Sequence, residues 1–264
     1  MKKQAVRSNR AKVIPISRPA SAASRAKELL DRALAAEKTR DAKKLAQSAL
    51  KLDPNCVDAL VLLAKCTPLS GEGYIQRLRA AVKTGERALG KEFIDTNRGH
   101  FWAVTETRPY MRARFELAMA LGENGDVTGA MNAFEEMLSL NPTDNQGVRD
   151  YLLALYLAME DLNGASRLLA RYNDTGAVFA WGEVFFHVLK GARTKARKAL
   201  LKALDRNPWA PIYFGGRKPK LQDSFEAGSE QEGEYAGMVL APAWIAHPDV
   251  LVWIAKSLAA LMGA

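Results

Sequence analysis

The sequence predicts an all-α solenoid of helical hairpins closed by a C-terminal helical cap. Three observations carry that prediction. Apolar residues recur at three- and four-residue spacing in consecutive pairs of stretches, the signature of amphipathic helices. Alanines stand where paired helices would cross, as Ala118, Ala130 and Ala133 do. Three of the second stretches stop at an acid or amide followed by proline: Asp53-Pro54, Asn141-Pro142 and Asn207-Pro208. Proline cannot continue a helix and biases the residue before it away from helical geometry.

Residues 1–20 hold Lys2, Lys3, Arg7, Arg10, Lys12 and Arg18 and no acid, which places +6 of the net charge of +9 there. Without sustained periodicity, this segment reads as a disordered basic tail. It suits nucleic acid or anionic lipid; a solubilising tail, or a start assigned too far upstream, is the simpler reading and the one expected. The helices begin at Ser21. Ala26, Leu29, Leu30, Ala33 and Leu34 form the first stripe, and Ala42, Leu45, Ala46, Ala49 and Leu50 the second. Val57, Leu60, Leu63 and Ala64 open the next pair, and Tyr74, Ile75, Leu78, Ala81 and Val82 complete it after a turn rich in Pro and Gly.

The clearest pair follows. Met111, Phe115, Leu117, Ala118 and Leu121 make its first stripe; Val127, Ala130, Met131, Phe134, Met137 and Leu138 make its second. Gly122, Asn124 and Gly125 supply the turn between them. Leu117, Ala118, Gly125, Ala130, Phe134 and Pro142 resemble the tetratricopeptide repeat, a helix-turn-helix unit of about 34 residues. Arg114 stands where that repeat usually carries tryptophan. The resemblance implies an architecture and no chemistry. Looser pairs follow over 145–173 and 176–207. Pro142 and Pro208 are 66 residues apart, near two repeats, but Pro54 and Pro142 are 88 apart. About twenty residues are surplus to the repeat, which places an insert near 90–109. Its His100, Phe101 and Trp102 read as a hydrophobic anchor.

The domains are therefore a tail (1–20), a solenoid (21–208) and an extension with capping helices (209–264). In the extension, Ser229 to Glu232 reads as a capping box, and Pro248-Asp249 opens a final helix. Leu251, Ile254, Leu258 and Leu261 would cover the apolar end of the last repeat and keep the chain monomeric.

A narrower likeness rests on Gly99–Trp102, Glu106–Arg114, Asn141–Arg149 and Asn207–Tyr213. These segments are similar to bacterial tetratricopeptide proteins related to the suppression-of-tumorigenicity-seven family, over roughly 73–254. That resemblance implies a helical-repeat protein with no established enzymatic activity. It supplies no catalytic residue.

Chemistry is sparse. His100, His187 and His247 are far apart, and Cys56 and Cys66 fit neither a zinc spacing nor a disulfide framework. No phosphate-binding glycine loop or nucleophile elbow is present. The expectation is a non-enzymatic protein with no metal and no cofactor. No apolar run is long enough to span a bilayer, no signal-like segment is evident, and the cysteine usage suits the cytoplasm.

The candidate site is a surface. Arg108, Tyr110, Arg112, Asn145, Gln146 and Arg149 cluster near the insert and at the openings of two first helices. First helices line the groove of such a solenoid, where these side chains could hold a protein or peptide segment. The competing expectation is internal pairing, with Arg108 and Arg112 held by Glu106 and Asp144. A chaperone carboxylate clamp is disfavoured, because Arg112, Phe115 and Met119 occupy its positions without the asparagine. The alternative function is nucleic-acid or ribosome association through the tail.

Overall fold

The computed structural model describes residues 21–264, apart from 69, 174, 219, 221–223, 262 and 264. The basic tail lies outside these residues. Every regular element described is helical.

Helices α1 (Ala22–Leu34) and α2 (Thr39–Leu52) form the first hairpin. Ser21 starts α1 by accepting a hydrogen bond from the Ser24 N–H at 3.1 Å, which satisfies one of the free donors of the first turn. The hairpin buries small residues, among them Ala26, Ala33, Ala42, Ala46 and Ala49. Leu34, part of the expected stripe, is 63% exposed.

The second hairpin pairs α3 (Val57–Lys65) with α4 (Gly71–Leu89). Its buried set in α3 is Val57, Ala59, Val61 and Ala64, whereas Leu60 and Leu63 are only partly buried. The helix is packed on several sides, by α2, α4 and α6 (Arg108–Glu123), so a single stripe does not describe it. Between α4 and α6, the chain forms α5 (Lys91–Thr96) and two 3-10 turns, Phe101–Ala103 and Thr105–Thr107. Phe101 is fully buried, Trp102 is half-buried and His100 is exposed. The Thr107 hydroxyl donates to the Phe101 carbonyl and closes this segment on itself.

Helix α6 and α7 (Val127–Leu140) form the third hairpin. Gly125 takes φ +86° in the turn, a conformation that costs other residues a Cβ clash. Asp126 then accepts from the Gly129 N–H at 2.9 Å and starts α7. Ala118 and Ala130 are fully buried at the crossing. Two further hairpins follow: α8 (Val148–Ala158) with α9 (Leu162–Arg171), and α10 (Ala177–Leu189) with α11 (Arg193–Arg206). One apolar core runs from Val57 to Ile254, while the first hairpin forms a small separate cluster with Ala59 of α3.

The extension contains α12 (Ala210–Tyr213), α13 (Glu230–Val239), α14 (Ala241–Ala246) and α15 (Pro248–Leu261). The cap reaches beyond the end of the last hairpin. Helix α13 lies on α8 and α10, α14 on α8, and α15 on α10. The extension thus covers the face made by the first helices of the last two hairpins. Ile254 is buried there, Leu251 and Leu258 are partly buried, and Leu261 is 54% exposed.

Candidate functional site

The first helices α1, α3, α6, α8 and α10 share one face of the array. Its two halves differ. Over α8 and α10 it is filled by the extension, and over α1, α3 and α6 it is an open groove of about 950 Å³.

The covered half is held by a buried polar knot. Glu232, 4% exposed, accepts from Arg206 Nη2 at 2.7 Å and Nη1 at 3.0 Å. It also accepts from the Ala177 N–H at 3.1 Å, where α10 begins with free backbone donors. Asn207 Nδ2 and the Gly228 N–H donate to the same carboxylate. The expected capping box is therefore only half made. Ser229 does accept from the Glu232 N–H at 3.2 Å, but the Glu232 side chain serves α10 and Arg206 instead of Ser229. Tyr235 of α13 hydrogen-bonds Asp150 of α8 at 3.3 Å. Trp181 donates to the Asn207 carbonyl at 3.0 Å.

The open half is floored by Val57, Val61 and Leu62 of α3 and Phe115 of α6, with Ala26 and Leu30 of α1 on the far wall. Two ion pairs cross between α3 and α6. Arg112 meets Asp58 with both carboxylate oxygens, Nε to Oδ1 at 2.9 Å and Nη2 to Oδ2 at 2.5 Å. Lys65 meets Glu116 at 2.5 Å. The hydrogen bonds that Arg112 donates to Asp58 raise its pKa further, burial opposing them. Both cations remain nearly half exposed, Arg112 at 47% and Lys65 at 46%. They can therefore touch a ligand without leaving their carboxylates.

Four of the six candidate residues line this groove: Arg108, Tyr110, Arg112 and Gln146. Their roles differ. Arg108 lies over the Trp102 ring, 5.4 Å from its centroid, and donates to the Trp102 carbonyl at 3.2 Å. Tyr110 is 3% exposed and its hydroxyl accepts from Arg114 at 2.7 Å. Gln146 Nε2 points to the Met111 carbonyl at 3.4 Å, leaving its buried Oε1 without a donor.

Asn145 and Arg149 are not in the groove lining. Asn145 is exposed and accepts from the Thr143 hydroxyl at 2.9 Å. Arg149 pairs with Asp144 at 3.1 Å and lies over the Tyr172 ring. Asp144 also accepts from the Val148 and Arg149 N–H groups and so starts α8. Burial nevertheless pushes its pKa above the ordinary 3.8. The expected pairings of Arg108 with Glu106 and of Arg112 with Asp144 give way to these partners, because α3 rather than the α8 opening faces Arg112.

Asp58, Lys65 and Glu116 were missed as groove residues. Their signal is present in the chain. Asp58 and Lys65 lie two turns apart on α3, and Arg112 and Glu116 one turn apart on α6, in opposite order of charge.

Among the described residues, no group of three or more His, Cys, Asp or Glu side chains could hold a metal ion. No helix among them is long and apolar enough to cross a membrane. No protein-family model matches the sequence, and no curated protein does. Among solved structures, the chain is similar to one described as the crystal structure of MamA protein. The two share 19% identity over 70% of this chain and 91% of that chain, with a TM-score of 0.48.

Proposed function

We propose that this protein is a non-enzymatic interaction scaffold that binds a peptide segment of a partner protein in the groove between α1, α3 and α6. It would act as a cytoplasmic monomer, in keeping with the resemblance to bacterial relatives of the suppression-of-tumorigenicity-seven family. The observation that carries the reading is the contrast within one face. The α8–α10 half is filled by the chain's own helices, whereas the α1–α6 half is open and apolar-floored. Ligand sites are typically concave, mostly apolar and furnished with a few polar groups. Arg112 keeps its Nη1 donors available and Lys65 presents an ammonium. These suit the carbonyls and acidic side chains of a peptide.

Capture from a source-cell lysate treated with nuclease, followed by affinity measurement on the recovered partner, tests this. Arg112→Gln with Lys65→Gln should weaken binding at least tenfold with little change in melting, because exposed pairs contribute about 0–1 kcal/mol each. Arg149→Ala should lower stability and leave affinity alone. Recovery that vanishes on nuclease treatment, or on removing the charges of residues 1–20, would favour nucleic-acid association through the tail instead.

A further inference from the structure

The charge of this chain is concentrated twice. Net charge is +9 overall and +6 in residues 1–20; residues 190–206 carry seven Lys or Arg and one acid, Asp205, a further +6. Everything else sums to −3. The second concentration is folded: it is α11, the outer helix of the last hairpin, with the end of the turn before it. It stands apart from the groove lined by α1, α3 and α6.

Helix α11 buries Ala196, Ala199, Leu200 and Ala203. At 3.6 residues per turn, these cover an arc of roughly 100° and leave an exposed arc of about 200°. The basic residues on that arc fall into two rows. Arg193 and Arg197 lie along one flank, and Lys195, Lys198 and Lys202 along the other, with Thr194, Leu201 and Asp205 on the crown. Lys195, Arg197, Lys198 and Lys202 make no ion pair among the described residues. Lys198 and Lys202 sit one turn apart, as do Lys195 and Lys198, and like charges at that spacing destabilise a helix. Asp205, one turn from Lys202, is the single carboxylate of this helix set near them.

We propose that the exposed face of α11 binds the phosphate backbone of duplex DNA, lying in the major groove with one basic row against each strand. A helix with its side chains is about 10–12 Å across, and the major groove of B-DNA is about 12 Å wide. Flanking cations then meet phosphates on both rims, and because these phosphate contacts outnumber the two base-reading side chains of the crown, Thr194 and Asp205, the contact depends little on sequence. The narrow major groove of A-form RNA does not admit a helix in this way. An anionic membrane is a poorer fit. Interfacial helices bury a broad apolar face in lipid, and the apolar face of α11 is spent on the protein core, leaving only Leu201 outward.

The test is fluorescence anisotropy with the full chain and a labelled DNA duplex of arbitrary sequence over a range of salt. Parallel titrations use the corresponding RNA duplex and vesicles with one-third anionic lipid. The variants are Lys195→Gln/Arg197→Gln/Lys198→Gln/Lys202→Gln, the pairs Arg193→Gln/Arg197→Gln and Lys198→Gln/Lys202→Gln, and the tail control Lys2→Gln/Lys3→Gln/Arg7→Gln/Arg10→Gln. Each phosphate contact contributes about 0.9 to the slope of log K against log salt. The fourfold variant should lower that slope by roughly 3–4, and each pair by roughly 2, with melting unchanged in the variants that keep Arg193, whose guanidinium lies over the Trp253 ring. Each pair alters only two exposed side chains, so the reading survives if the fourfold variant folds poorly. No duplex binding by the full chain at low salt would overturn the proposal. So would a slope altered only by the tail control, loss from one flank but not the other, or tighter binding to RNA or vesicles than to DNA.

Discussion

Glu232→Ala tests how the extension is held on the array. The carboxylate is 4% exposed and accepts five hydrogen bonds, two of them from Arg206. Removing one partner of a buried ion pair costs about 3–5 kcal/mol, because the remaining charge stays desolvated. Arg206 is 25% exposed and keeps a bond to the Thr175 carbonyl, which pulls the figure down. The buried Ala177 N–H loses its acceptor, which pulls it up by about 1–3 kcal/mol. These effects share atoms and do not add, so the expected loss is about 3–4 kcal/mol. Glu232→Gln keeps the shape and one acceptor and should cost less. Stability in a repeat array is partly local, so the assay is amide hydrogen exchange alongside chemical denaturation. Amides of α13 and the first turn of α10 should exchange faster, with α1 and α2 unaffected. A change below about 0.5 kcal/mol, the scale of an ordinary surface substitution, would refute the knot as the fastening.

Three further outcomes are expected. Ala130→Leu forces a larger side chain into the α6–α7 crossing, where Ala130 is fully buried, and should destabilise by roughly 1–3 kcal/mol; an unchanged melting temperature would count against the repeat register. Gly237→Ala would place a Cβ 2.4 Å from Tyr213 Cβ, so α13 must shift from α12, and the loss should register as reduced protection of both helices in hydrogen exchange. Asp144 has a raised folded-state pKa, so its favourable contribution is present below the ordinary 3.8 and is lost as pH rises through the raised value. Asp144→Asn removes that dependence, and Asn tolerates the φ of +51° there. The variant should therefore gain stability relative to wild type from pH 3.8 upward in denaturation curves taken at several pH values; a difference independent of pH would contradict this.

Helix stops were the most legible features of the chain. Asp53, Asn141 and Asn207 are the C-caps of α2, α7 and α11, each followed by proline. Proline acts through local sterics, so a dipeptide suffices to reveal it. The alanine crossings were legible for the same reason, since Ala118 and Ala130 mark close approach wherever the partner helix comes from. Partner choice was not legible. Arg112 finds Asp58, 54 positions away, because α3 and α6 are neighbours in space. Helical periodicity says that α13 buries a face and is silent on which surface receives it. The short α12 and α14, four and six residues long, carry too few turns for periodicity to register.

The most direct test of groove binding is a methyl spectrum of the alanine-labelled protein titrated with the shortest binding segment of the captured partner. Groove binding predicts shifts at Ala23, Ala26 and Ala88, which line the open half. It predicts none at Ala154, Ala177 or Ala243, which are buried in α8, α10 and α14. Shifts centred on the second set, with the first set unmoved, would contradict it and place the partner where the extension now lies.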